Sequence, residues 1–213
     1  MFPKARTLRL APAVSAALAA LLLAACSRDT TIVKRSLCPA VSVAQYAGDV
    51  TRFDPPAQRD SGAIALTATV TDLRGACVEG SPEIATRITF DVVAQRRDRA
   101  AAQTVTLPVF VAVTRGGDIV VTKQVVNVAL AFPAGQTRAI GHGSAATAIA
   151  RQSVALPTNI NRLITRVRKP GETDAATDPL AEPKVKDAVR QASFEVLVGF
   201  ELTPEELAYN ATK

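Results

Sequence analysis

The middle of the chain contains several short runs in which apolar residues, many of them β-branched, alternate with polar residues. In residues 64–71, for example, Ile, Leu, Ala and Val occupy every second position and threonine fills most of the others. A period of two is typical of strands that bury one face. Predicted strands lie at residues 64–71, 87–95, 105–113, 119–121, 126–132 and 194–202, and the less regular segments 137–140 and 148–156 are further candidates. The chain is therefore predicted to be rich in β-structure.

Turn residues separate these runs. The sequence Arg-Gly-Gly-Asp at 115–118 predicts a hairpin turn, because paired glycines accept the positive φ angles that such turns require. Pro108 interrupts an apolar run, which predicts an edge strand or a bulge at that position. Between 137–140 and 148–156, the small residues Gly141–Ala146 predict a break between two strands.

A polar stretch near residues 166–187, rich in Pro, Asp, Glu and Thr up to Pro183, predicts an exposed or disordered loop. The clearest strand, 194–202, follows it and leads directly into a helix start.

The C-terminal helix start combines three signals. Thr203 is an expected N-cap, Pro204 suits the first helical position, and Glu206 completes a capping box. The helix should end near Asn210. Because it has only about two turns, packing against the sheet must stabilise it. Leu207 and Tyr209 are the expected anchors.

Seven or eight strands with few helices predict an all-β fold. The favoured architecture is a single antiparallel β-sandwich, Ig-like or related, over residues 38–213 with a short C-terminal helix. The alternative is a β-barrel-like domain. A domain of about 170 residues can bury roughly 70% of its unfolded surface, which is enough for one core. Only 4% of the residues are aromatic, so the girdles of an outer-membrane barrel are missing.

The N-terminus has the pattern of an export signal. Three basic residues precede an uncharged run, Ala11–Ala25, that is too short to span a bilayer. The sequence Leu23-Ala-Ala-Cys26 resembles the lipobox of bacterial lipoproteins. The resemblance implies cleavage after residue 25, a diacylglycerol on the Cys26 thiol and acylation of the new amino group, which together anchor a protein durably. An ordinary secretory signal is the alternative.

Residues 26–37 are polar and predict a flexible tether that holds the domain close to the membrane. In lipoproteins sorted by the residue after the cysteine, a serine such as Ser27 favours the outer membrane. We therefore expect the protein on the inner leaflet of the outer membrane, facing the periplasm. The inner membrane and the cell surface are the alternatives.

Processing lowers the net charge. The full chain carries 25 basic and 19 acidic residues, and the signal contains three of the basic ones, so the mature chain has a net charge of +3. No block of like charges and no tryptophan is present. This composition argues against DNA or RNA binding.

Two cysteines remain once Cys26 carries lipid. In an oxidising compartment Cys38 and Cys77 are expected to form a disulfide, worth about 4 kcal/mol on the chain-entropy view. A redox or metal pair is the alternative, although the chain has no Cys-x-x-Cys and one histidine.

Other reactive side chains have simpler interpretations. His142 lies beside glycines and near Ser144, but no Gly-x-Ser-x-Gly is present, so it is interpreted as a solvated loop residue. Asp174 and Asp178 lack calcium-loop spacing. Adjacent carboxylates Glu205 and Glu206 do not share a helix face, and capping explains the second. We therefore expect no catalytic residue, metal site or cofactor.

The string 196–210, the Cys38-Pro start, Cys77 and the lipobox together resemble a group of uncharacterised lipoproteins of alphaproteobacterial type. That resemblance implies a lipidated β-domain and assigns no activity. The favoured function is a structural or protein-interaction role in the cell envelope, with the membrane and an envelope protein as partners. Docking would use a free sheet edge or the polar loop. The alternative is a periplasmic domain that binds a small molecule or glycan, and an enzyme is not expected.

Overall fold

Two four-stranded sheets form the body of the protein. The computed structural model describes residues 35–98, 101–169 and 171–213, and Cys26 lies outside these ranges. The strands are β1 (Ala40–Val43), β2 (Asp49–Phe53), β3 (Ile64–Glu79), β4 (Glu83–Arg96), β5 (Gln103–Arg115), β6 (Ile119–Phe132), β7 (Arg138–Ala150) and β8 (Phe194–Phe200). The predicted sandwich is confirmed. The sheets pack on each other and do not join into one barrel.

The first sheet has the strand order β1-β8-β5-β6, and the second has the order β2-β3-β4-β7. Neighbouring strands are antiparallel, except that β1 runs parallel to β8. The hairpins β3–β4 and β5–β6 each stay within one sheet, whereas the connection from β6 to β7 crosses to the other sheet. The predicted turn at 115–118 is confirmed as the β5–β6 hairpin.

The core lies between the sheets and is built by alternate residues, as the period of two predicted. In β4 the inward residues include Ile84, Ile88 and Val92, all of them fully buried. Val109 and Val111 of β5 face them from the other sheet. Burial of such side chains is worth about 1.5–3 kcal/mol each, which explains why the alternation survives in the fold.

The segment Gly141–Ala146 does not separate two strands, and this prediction was wrong. It lies inside the continuous strand β7. A Cβ on Gly141 would approach Val128 Cγ1 to 2.6 Å and the Ala129 carbonyl oxygen to 2.7 Å, so glycine lets β7 run close to β6. Gly143 lies opposite Phe90 on β4, whose buried ring fills the place of a side chain. The missing side chains permit packing here instead of a turn.

The predictions for residue 108 need correction as well. Strand β5 is an interior strand, and its register with β6 shifts at Val113–Thr114 and not at Pro108. The Pro108 carbonyl accepts a hydrogen bond from the Glu201 nitrogen, one residue beyond the end of β8. The missing N–H therefore faces the place where the neighbouring strand stops, so the sheet tolerates the proline.

In the described part of the chain three α-helices accompany the sheets, and the sequence predicted only the third. They are α1 (Thr158–Thr165), α2 (Pro183–Gln191) and α3 (Pro204–Thr212). Residues Arg151–Val154 form a 3-10 helix, so the strand expected to reach 156 ends at Ala150. The polar segment 166–187 overlaps α2, and its last five residues are therefore helical. Ile164 of α1 and Val185 of α2 are buried and attach these helices to the domain.

The capping box at the start of α3 is confirmed. The Glu206 nitrogen donates to Thr203 Oγ1 at 3.2 Å, and the Thr203 nitrogen donates to Glu206 Oε2 at 2.9 Å. Tyr209 packs edge-on against Phe53 of β2 with ring centroids 5.1 Å apart, as an anchor should. Leu207, however, is 44% exposed, and the buried residue of the helix is Asn210.

Candidate functional site

The disulfide between Cys38 and Cys77 is confirmed, with 6.0 Å between the two Cα atoms. It joins the residue two positions before β1 to the outer part of β3, and so links the two sheets near the beginning of the described chain. Cys77 also packs against the hydrophobic core. The disulfide therefore fixes the segment before β1 to strand β3.

Residues 35–37, which belong to the predicted tether, contact the domain. Arg35 donates to the Val154 carbonyl at 2.7 Å and also to the Ala192 carbonyl. The Leu37 nitrogen donates to Glu79 Oε1 at 3.2 Å, and the Leu37 side chain packs against the core. These contacts hold the beginning of the described chain against the domain.

The register places four strand ends at this same end of the first sheet. Ala40 of β1 pairs with Glu195 of β8, and Arg115 of β5 pairs with both Phe194 and Ile119. We call this the Arg35 end. Strands are about 4.8 Å apart, so the start of β6 lies roughly 14 Å from the start of β1 across the sheet.

A cavity of about 660 Å³ opens at the Arg35 end. It is lined by the β5–β6 turn, by residues 153–157 and by the last turn of α2. Arg115 and Arg190 bring two guanidinium groups to the lining, and Asp118 brings one carboxylate. The cavity can therefore accommodate a polar group of negative charge.

Within the residues that the structure describes, β6 has no neighbour on one side and forms an edge of the first sheet. Its first seven residues, 119–125, are all exposed, and they include Ile119, Val120, Val121 and Val125. Near Gly141, the backbones of β6 and β7 lie close together. Closer to the start of β6 a side chain joins the two strands: Gln124 Nε2 donates to the Ala146 carbonyl oxygen at 3.0 Å. We call residues 119–125 the free edge of β6. Such an edge can accept a further strand.

His142 lies in strand β7 and not in a loop, so the sequence interpretation of its position was wrong. Its side chain is 78% exposed, and Nδ1 lies 2.6 Å from Asp91 Oδ1 on the neighbouring strand. Ser144 is two residues further along the same exposed face, where it pairs with Thr89. His142 and Ser144 lie on an exposed face of the sheet that is open to water. Catalytic sites of such residues usually lie in a pocket that excludes water.

Asp174 and Asp178 hold the polar segment in place. Asp174 forms ion pairs with Arg166 and, at 3.4 Å, with the buried Arg168. The hydrogen bond from Arg166 lowers the pKa of Asp174 below its ordinary value. Asp178 instead caps the 3-10 helix Pro179–Ala181, accepting from the Leu180 nitrogen at 2.9 Å. Within the described ranges, no cluster of histidine, cysteine and carboxylate side chains could hold a metal ion.

Glu205 and Glu206 begin helix α3 and have different partners. Glu206 completes the capping box and pairs with Arg52 at 3.4 Å. Hydrogen bonding to the backbone and to Thr203 lowers the pKa of Glu205. Negative charge in a first helical turn is favourable, which gives both residues a structural reason to be there.

The cationic residues at the Arg35 end were missed by the sequence analysis. Arg35 was counted as part of a tether, Arg115 as part of a turn, and Arg190 follows the polar segment. They are far apart in sequence and belong to no recognisable motif, so no local signal could have grouped them. The fold alone brings them to one end of the molecule.

Comparisons with known proteins assign no relationship. The chain matches no family model, no curated protein and no solved structure. Among the residues that the structure describes, no helix has both the length and the apolar character needed to cross a bilayer. The resemblance to lipoproteins therefore stays a prediction from the sequence.

Proposed function

We propose that this protein is a bacterial envelope lipoprotein whose β-sandwich docks on a partner protein. A lipid on Cys26 anchors it to the inner leaflet of the outer membrane, with the domain in the periplasm. Its role is structural or interactive and not catalytic. The lipobox carries the anchoring, and the Cys38–Cys77 disulfide supports an oxidising compartment, because such bridges are rare in a reducing cytosol.

The single observation that carries the docking role is the free edge of β6. Proteins usually protect long edge strands with prolines, charges or covering loops. The free edge has one charged residue, Lys123, which is engaged by Glu201 at 2.8 Å, while Val120 is 60% exposed. Backbone groups that are unpaired within the sheet, together with apolar side chains, suit the addition of a partner's strand.

The alternative function, capture of a small molecule between the sheets, has less support. Buried side chains of both sheets fill the interior, among them Phe90, Leu107, Leu130 and Phe132. The 660 Å³ cavity opens at the end of the sandwich and not between its layers. A low aromatic content also leaves few platforms for stacking a sugar.

A site-specific photocrosslinker at Val125, in the full chain expressed in its own cells, tests the docking role. We expect one discrete protein adduct, which the second-site substitution Thr122→Lys should reduce strongly, because a charge on an edge strand blocks strand addition and Thr122 is exposed on the same edge. Thr89→Lys on β4 is the matched control, because Thr89 is also an exposed threonine but lies on an interior strand. Reproducible absence of an adduct, or equal loss with the control, would refute docking through this edge.

A further inference from the structure

We propose that the cavity at the Arg35 end binds the phosphate of an anionic phospholipid headgroup, so that this end of the sandwich faces the bilayer. The inference rests on the proposed lipid anchor for its geometry. It goes further by assigning a ligand class to the cavity and an orientation to the domain. Residues 122–125 of the free edge lie farther from this end along the strand than residues 119–121, so a partner protein could still pair with them.

The charge of the lining fits a phosphate. Arg115 has no ion-pair partner among the residues that the structure describes. Arg190 has one distant partner, Asp187, at 3.9 Å. The lining itself carries two guanidiniums and one carboxylate, Asp118, while Asp187 outside the lining offsets part of the charge of Arg190. Guanidinium forks match phosphate oxygens well.

The rim of the cavity is apolar, which distinguishes a lipid from a soluble anion. Ile119 lines the cavity and begins the run Ile119, Val120 and Val121, each at least half exposed. Because these three residues are consecutive, exposed apolar side chains lie on both faces of the strand here. Apolar side chains next to arginines are the composition of a surface that enters the membrane interface.

The location agrees with the anchor. Ala192 lines this cavity and also the neighbouring cavity of about 380 Å³, which Arg35 lines. The nine residues from Cys26 to position 34 can extend about 30 Å at most. A lipid on Cys26 would therefore hold the Arg35 end, and the cavity next to it, close to the headgroups.

The connections at the opposite end of the sandwich are less apolar, although Ile140 near the start of β7 and Leu207 of α3 lie toward that end. These connections, at residues 54–63, 97–98, 101–102 and 133–137, contain none of the large exposed apolar side chains found in the described chain. At the Arg35 end, Val78 adds another, 68% exposed, near the end of β3. The asymmetry favours one end as the surface that meets the membrane.

Hydrogen exchange of the full mature lipoprotein in vesicles tests the proposal. We expect amides of residues 116–121 to exchange about 30-fold more slowly in phosphatidylcholine vesicles containing phosphatidylglycerol than in pure phosphatidylcholine, the effect of two interfacial cations. The double variant Arg115→Gln/Arg190→Gln should lose this protection. Arg138→Gln removes an exposed arginine at the opposite end of β7 and should keep it.

The outcomes separate the proposals. Equal exchange in both vesicle types, or equal protection in both double variant and control, overturns the headgroup site. If inorganic phosphate in detergent slows exchange and anionic vesicles slow it no further, the cavity binds soluble anions. That result also overturns the lipid assignment. The mass of the purified chain reports separately on Cys26: absence of the acyl groups refutes the anchor, and externally added vesicles still test the cavity.

Discussion

Asn210 ties helix α3 to the segment that leads into β2. Its Nδ2 donates to the Tyr46 carbonyl at 2.8 Å and to the Asp49 carbonyl at 2.7 Å, and the residue is 5% exposed. Asn210→Ala removes both hydrogen bonds at about 1 kcal/mol each and leaves two acceptors unpaired. The Asn210 Oδ1 atom is buried without a hydrogen-bond partner in the described chain. Alanine removes this unpaired acceptor as well, which offsets part of the lost stability. We expect a net loss of about 1–2 kcal/mol.

The replacement Asn210→Asp sharpens this test. A carboxylate of the same shape would face the Tyr46 and Asp49 carbonyl oxygens with negative charge and no donor, so it should destabilise the protein more than alanine does at neutral pH. The loss should shrink in acid, where the carboxyl group is protonated and can donate one hydrogen bond.

Urea unfolding of the wild type and the variants measures these differences. Leu207→Ala, on the exposed side of the same helix, is the control and should change the unfolding free energy by less than about 0.5 kcal/mol. The reasoning fails if Leu207→Ala costs as much as Asn210→Ala. It also fails if Asn210→Asp unfolds at the wild-type urea concentration.

Three further perturbations follow from the same structure. Replacing Cys38 and Cys77 by serine should cost about 4 kcal/mol in urea unfolding, because the bridge closes a long loop. Gly143→Ala should cost about 1–3 kcal/mol by forcing a methyl group into the Phe90 ring, and Phe90→Leu should recover part of that loss in the double variant. Asp174 has a lowered pKa, so its stabilising ion pairs are present above the unfolded carboxyl pKa and are lost as pH falls through the folded value. Protection of the amides at 166–182, relative to the intrinsic exchange rate at each pH, should therefore fall below about pH 4.

Each of these has its own check. Wild-type protein reduced with dithiothreitol should match the serine variant, and unchanged unfolding in both would contradict the disulfide estimate. Gly117→Ala, at a turn glycine with open space around it, should show a backbone effect that Phe90→Leu does not relieve. Asp174→Asn should abolish the acid-dependent exchange, and persistence of the same pH dependence in that variant would assign it to another group.

Alternation predicted the sheets well because each strand buries one face against the other sheet. Thr203 and Glu206 predicted the start of α3 because capping is a local interaction. The errors occurred where local composition suggested a break but tertiary packing used the small residues. Gly141 and Gly143 are acceptable in β7 only because β6 and Phe90 occupy the space of their missing side chains.

The candidate site was less predictable than the fold. The lipobox and the cysteine pair are local or compositional signals, so the sequence could point to Cys26 and to a Cys38–Cys77 bridge. The cationic cavity depends on Arg115 and Arg190, which are 75 positions apart and are brought together when the β5–β6 turn packs on α2. The free edge of β6 could not be assigned either, because strand order is a property of the whole sheet.

The sequence by itself determined most of the strand pattern, the disulfide pair and the capping of α3, since each depends on residues that are near in sequence or few in number. The export signal stays a prediction. Only the tertiary structure decided which strand lies at an edge, which end meets the preceding chain and which arginines share a cavity. These properties depend on contacts between segments that are distant in sequence. The free energy gained by burying the whole core outweighs the conformational preference of any one segment.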